Sequence, residues 1–232
     1  MINLSQSQSQ IQCVSNFKDL ISTPFQEEIN AILWKRKVIG NFAELVEKLT
    51  VKGNISEVCF EELFELELSK EGQHAREFIS KDYKLLKAHG ASPILNLIKC
   101  YEKDTSYPLL PTDVYSFHVD RSPIPTDTFL CTYHGASSEI LPNAQAKQKI
   151  LIPEIRDGLK KLYNGPEEGF DDFLIEYFFD LHYQSDIGAK IVKLGVGALW
   201  RLSVDHPESN VLPCIHRAPE EKDGLYRLML IC

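Results

Sequence analysis

The chain has 232 residues, 44% of them hydrophobic and 25% charged, the composition of a folded globular protein and not of a disordered, collagenous or coiled-coil chain. Lys plus Arg number 25 against 33 for Asp plus Glu, a net charge of −8 with no basic block, so a nucleic-acid partner is not expected. No apolar run reaches the ~18 residues of a membrane helix, the start lacks the parts of a signal peptide, and the cysteines have no C-x-x-C spacing; a cytoplasmic protein with reduced thiols and no membrane partner is expected.

The Ser/Gln repeat near the start predicts a disordered arm over 1–10. Thr23-Pro24-Phe25-Gln26 has the form of a capped helix start, with Phe25, Ile29, Ile32 and Leu33 at helical spacing. Asn41 repeats the cap before Phe42, Leu45, Val46 and Leu49, and 56–88 carries Leu63, Phe64, Leu66 and Leu68 among many Glu and Lys. Ser92-Pro93 opens another expected helix, with Ile94, Leu97, Ile98 and Tyr101 inward. These segments predict a helical layer over 11–107, closed by the two prolines of Tyr107-Pro108-Leu109-Leu110-Pro111.

From 108 to 232 the pattern turns to strands, expected over 115–119, 128–134, 191–203, 211–217 and 225–231. A helical insert over 153–182 interrupts them. Its second half places Phe170, Phe173, Leu174, Tyr177, Phe178 and Leu181 at spacings of three and four, the buried face of an amphipathic helix. Trp34 and Trp200 read as packing residues.

Side chains two apart in a strand share a face, so His118 and Asp120 project together while Tyr115, Phe117 and Val119 pack behind. An imidazole and a carboxylate on one face, completed by a distant His, make a two-His-one-carboxylate metal site with open coordination positions. His216 supplies the distant ligand. A hairpin folded about Glu221 and Lys222 sets it opposite Arg227, whose guanidinium suits a dicarboxylate. His206 and Arg217 repeat that eleven-residue spacing, but Asp205-His206-Pro207 reads as a turn. The competing structural reading makes the histidines half-buried packing residues, His134 a strand-end surface histidine and Arg227 an edge-strand charge.

His118-x-Asp120, His216 and Arg227 together resemble the signature of the Fe(II)/2-oxoglutarate-dependent dioxygenases, over residues 118 to 227. FHVDRSPIPTDTFLCTYHGASSE, INAILWKRKVIGNF, and IHRAP followed by RLMLI are similar to a bacterial family described as a domain of unknown function. That likeness spans most of the chain and groups its helical and β parts into one functional unit. The dioxygenase resemblance implies an α+β fold with a double-stranded β-helix (jelly-roll or cupin-like) core at 108–232, under the helical layer and with the insert. It implies Fe(II) on His118, Asp120 and His216, 2-oxoglutarate as co-substrate with its C5 carboxylate on Arg227, and O2. A small-molecule substrate is then hydroxylated or otherwise oxidised, with succinate and CO2 as products. Some members carry Gly or Ala at the carboxylate position and open a halide site there; Asp120 implies oxidation without halogen. Many members place Ser or Thr two residues after the arginine, where this chain has Met229. The second carboxylate contact is therefore expected from Tyr133, or from Thr132 on the opposite face. The rival functions are a cupin-like metal-binding or metal-handling protein on the same ligands, and a zinc hydrolase, for which no general base stands out.

Overall fold

The computed structural model describes residues 9–220 and 224–232; the arm as far as residue 8 and the proposed hairpin centre at 221–223 lie outside them. The N-terminal part contains β1 (Ile11–Val14), α1 (Phe17–Ser22), β2 (Ala31–Trp34), α2 (Phe42–Lys48), β3 (Ile55–Glu57), α3 (Phe60–Glu65), α4 (Lys70–His89) and β4 (Ile94–Ile98). It is a mixed region and not a purely helical layer. Gln10, expected in the arm, is buried: its carbonyl accepts from the N–H groups of Asn30 and Ala31, both at 3.1 Å, and its side chain accepts from Asn143 N–H at 2.8 Å.

Two expected helices are strands. The run Ala31-Ile32-Leu33-Trp34 lies between β1 and the later strand at 199–203, so its apolar side chains are covered on both faces and need no helical period. Pro24 precedes an irregular turn in which Glu27 takes a positive φ of 54°. Likewise Ile94-Leu95-Asn96-Leu97-Ile98 pairs with β3, and Pro93 stands just before the strand, where a missing N–H costs no ladder bond.

The other helices follow their local chemistry. Asn41 caps α2 by accepting from Glu44 N–H, and Ser69 caps α4 by accepting from Gly72 N–H. At the far end of α4, Gly90 adopts φ 98° and its N–H closes on the last carbonyls. Ala75, Ile79, Asp82 and Leu86 form the buried stripe of α4. Asp82 belongs there because Arg36 grips both its oxygens and the Tyr133 hydroxyl donates to it at 2.7 Å. Arg36 is further fixed by its Nε–H to the Gly197 carbonyl at 2.9 Å and by the Trp34 and Phe78 rings.

The C-terminal part contains β5 (Phe117–His118), β6 (Asp127–His134), β7 (Glu139–Ile140), β8 (Ala146–Gln148), α5 (Pro153–Leu162), α6 (Phe170–Glu176), β9 (His182–Ser185), β10 (Val192–Lys193), β11 (Leu199–Ser203), β12 (His216–Arg217) and β13 (Arg227–Ile231). The insert's second helix stops early, because Phe178 at φ 60° breaks it, and the chain re-enters a sheet at His182.

These strands form a seven-stranded sheet, ordered β1-β2-β11-β6-β13-β4-β3, and a six-stranded sheet, ordered β10-β7-β12-β5-β9-β8. Among the described residues every pairing between these strands is antiparallel except β1 with β2. The chain alternates between sheets from β4 to β7 and again from β10 to β13, with β7 to β10 all in the small sheet, and the pairs nest: β4 with β13, β5 with β12, β6 with β11, β7 with β10. The result is an α+β sandwich in the manner of a jelly roll.

Burial of apolar area drives the packing, at roughly 25 cal/mol per Å². One core lies between α2, α4 and the outer face of the large sheet, and includes Phe42, Ile79, Cys131, Tyr133, Leu228 and Leu230. A second lies between the sheets, where Leu33, Leu130 and Trp200 meet Ile140 and Val192. Among the described residues no helix is long and apolar enough to cross a membrane, and the six cysteines are free thiols.

Candidate metal centre

β5 and β12 lie side by side in the small sheet with His118 directly opposite His216. Phe117, Val119 and Ile215 pack on one face of this sheet with Leu141 and Leu181. By strand alternation His118 and His216 therefore point the other way, between the sheets, in line with Ile140 and Val192. Asp120 follows β5 on the His118 face. One ligand atom from each of His118, Asp120 and His216 lies within 4.8 Å of the others.

Backbone carbonyls orient both rings. His118 Nδ1–H donates to the Ser116 carbonyl at 2.7 Å, and His216 Nδ1–H donates to the Cys214 carbonyl at 3.1 Å. A carbonyl only accepts, so each proton sits on Nδ1 and each Nε2 lone pair is left for a ligand. His216 Nε2 stands 3.7 Å from Asp120 Oδ2, and that oxygen also accepts from the Thr128 hydroxyl at 2.5 Å.

The electrostatics suit a cation. Burial, helped by the neighbouring His216 ring, pushes His118 down to about 4 and keeps it neutral at physiological pH. Burial works against ionised Asp120, yet His216, the Thr128 hydroxyl and His118 together lower its pKa. Two imidazoles that present Nε2 and an ionised carboxylate form the donor set that nitrogen- and oxygen-preferring divalent ions require, so the residues fit a resident metal such as Fe(II).

Arg227 is not the hairpin partner of His216. β12 belongs to the small sheet and β13 to the large one, where Arg227 pairs with Ile98. The guanidinium is nonetheless inside. Leu228 and Leu230 point to the helices, so Arg227, Met229 and Ile231 face the small sheet, and Arg227 is 1% exposed. Its Nη2 donates to Ser138 Oγ at 3.1 Å and contacts Met229 Sδ at 3.3 Å.

Tyr133 points the wrong way for the role expected of it. Its ring stacks on Phe42 among the helices, and its hydroxyl is committed to Asp82. Thr132, on the opposite face of β6 and paired with Met229, shares the inner face with Arg227; its buried hydroxyl has no hydrogen-bond partner among the described residues. His206 and Arg217 do not rebuild the site: His206 Nδ1 accepts from Glu208 N–H in a turn, and Arg217 is held by Glu139 at 2.7 Å.

Two residues near the centre escaped the sequence reading because they lie in or beside the stretch read as a helical insert. His182 on β9 pairs directly with His118, ring centroids 5.9 Å apart, and is 3% exposed. Lys149 follows β8 and donates to the Ser116 hydroxyl at 2.7 Å. The β-forming run His182-Tyr183-Gln184 was the available signal for His182. A cleft of about 220 Å³ opens here, lined by residues including Thr112, Asp113, His118, Asp120, Phe178 and His182. A larger cleft of about 740 Å³, around Phe25, His89, Arg201 and His206, shares no residue with the metal centre.

Comparison of the chain with protein-family models, with curated proteins and with solved structures finds no match.

Proposed function

We propose that this chain is an Fe(II)- and 2-oxoglutarate-dependent oxygenase on a double-stranded β-helix, oxidising a small molecule with O2. The observation that carries the reading is the convergence of His118, Asp120 and His216, both Nε2 atoms free, between two sheets whose opposite wall holds buried Arg227. The nested pairing of β4 to β13 supports the fold, since it is what winding one long hairpin into two sheets produces.

Iron would be held by His118, Asp120 and His216, and together with 2-oxoglutarate it supplies O2 activation and oxidation of a substrate C–H bond, with succinate and CO2 as products. The protein's own residues position the parts. Ser116 and Cys214 carbonyls fix the rings, Thr128 aims Asp120, and Arg227 offers a cation to the co-substrate's far carboxylate. The cleft beside His118 admits a small substrate.

Anaerobic addition of Fe(II) and 2-oxoglutarate tests the reading. A visible metal-to-ligand charge-transfer band, lost in His216→Ala and Arg227→Ala, is the expected result. Asp120→Ala is expected to abolish succinate formation; a folded variant that still turns over 2-oxoglutarate sinks the triad. A second reading, a cupin-like metal-binding protein without oxygenase activity, is favoured by one observation: His182 adds a third imidazole to the row. Stoichiometric metal binding without the band supports it.

A further inference from the structure

We propose that Lys149 and His182 form a carboxylate-binding subsite beside the metal centre, so that the substrate is a small anion carrying a carboxylate; this rests on the oxygenase reading of His118, Asp120 and His216. Gln148 pairs with Tyr183, so Lys149, the next residue, falls beside His182. His182 is opposite His118, and His118 is opposite His216. One row therefore leads across the small sheet from an ammonium, through a buried imidazole, to the metal ligands.

The charges around this row are unevenly matched. Arg121 on the cleft wall already has Asp180 and Asp205 as counter-ions. Asp113 accepts from the N–H groups of Tyr115 and Asp104, at 3.1 and 3.0 Å, and its charge favours protonated Lys149 only from beyond ion-pair distance. Lys149, half-buried, has the neutral Ser116 hydroxyl, and among the described residues no carboxylate oxygen lies within ion-pair distance of it. Burial lowers its pKa, as expected of an ammonium short of compensation.

His182 is the second, independent sign. Its Nδ1 is buried and has no hydrogen-bond partner among the described residues, although the ring lines the cleft. A buried polar atom left unpaired is costly, and so is a desolvated charge without a partner. A single carboxylate answers both, accepting from the ammonium and, through a carboxylate oxygen, from the imidazole N–H in its Nδ1-protonated form. The cleft that His182 lines, with Lys149 next to His182 in the row but outside the lining, is about 220 Å³, smaller than the roughly 300 to 1,000 Å³ pockets of drug-sized ligands, and Val114, Leu181 and Phe178 offer it an apolar wall. The ligand is therefore compact, with a carboxylate on a partly apolar body.

Benzoate is the probe and benzamide its uncharged counterpart, titrated into metal-free protein with ¹⁵N-labelled histidine rings. Benzoate is expected to shift the His182 ring signals and to bind about tenfold or more weakly in Lys149→Met, with recovery in Lys149→Arg, as for loss of one charged hydrogen bond. Benzamide is expected to bind the unaltered protein weakly. Lys149→Met is nearly isosteric and removes a half-buried charge, and its ring spectrum reports its own folding. Equal benzoate affinity in the unaltered protein and Lys149→Met, or equal binding of benzamide and benzoate, overturns the subsite. So does loss of the 2-oxoglutarate band in Lys149→Met with its retention in Arg227→Ala, which makes Lys149 a co-substrate contact. Lys149-dependent benzoate binding in a protein that never gives the band supports the subsite and removes the oxygenase reading.

Discussion

Tyr133→Phe separates structure from chemistry at a residue whose sequence context pointed to the co-substrate. Its hydroxyl donates to Asp82 at 2.7 Å in a buried cluster that also holds Arg36. Asp82 keeps both contacts from Arg36 after the substitution, so the loss is one hydrogen bond to a charged acceptor, about 1.5 to 3 kcal/mol. For a chain of this size each kcal/mol moves Tm by roughly 2 to 4 °C, so melting falls by about 3 to 12 °C. Thermal unfolding followed by circular dichroism reads that shift. The 2-oxoglutarate titration, run on the same sample below its melting range, is expected to be unchanged, because Tyr133 lies on the helical side of the large sheet and Arg227 on the other. An unaltered Tm together with weakened 2-oxoglutarate binding refutes this account and returns Tyr133 to the site.

Metal binding to the folded chain is expected to raise Tm: at a hundredfold excess over Kd the linkage is about 2.7 kcal/mol, or roughly 5 to 11 °C, and both a chelator and His118→Ala abolish the rise. The metal-free protein is expected to lose stability as pH falls from about 6.5 toward 4. Burial pushes His182 down to about 3 and His118 to about 4, so the fold keeps both neutral while the unfolded chain takes up protons; a Tm that rises on acidification contradicts the sign, and His182→Gln flattens the slope. Gly135→Ala is expected to cost about 1 to 3 kcal/mol and to weaken 2-oxoglutarate binding. Gly135 has φ 84°, and a Cβ there meets the Tyr226 carbonyl at 2.6 Å and Arg227 Cγ at 3.0 Å, so binding equal to that of the unaltered protein argues against Arg227 as the carboxylate contact.

The metal centre was legible where a two-residue period carries the information. His118 and Asp120 needed only the alternation of a strand, and His216 the apolar Leu212 and Ile215 before it, of which Ile215 is buried and Leu212 exposed. The route to Arg227 was misread because eleven residues suit a hairpin as well as a crossing between sheets. The runs 31–34 and 94–98 looked helical because four or five apolar residues fit either period, and only the sheet covering both their faces decides. β7 is two residues long, too short for any periodic signal, whereas the equally short β10 and β12 fall inside the runs expected as strands at 191–203 and 211–217. His182 and Lys149 were hidden by the neighbouring α5 and α6, which dominate the local pattern.

β12 sits between β5 and β7, and β13 between β6 and β4, so the two strands latest in chain order among the described residues are inner strands, one in each sheet. Until β12 has emerged the small sheet is split down its middle, and until β13 has emerged the large one is, with unpaired edges on both sides of each gap. A growing chain is then exposed to strand-to-strand association until those two strands are made. Because His216 lies on β12, a chain interrupted before it carries two of the three ligands and no complete metal centre, which couples assembly of the site to closure of the small sheet.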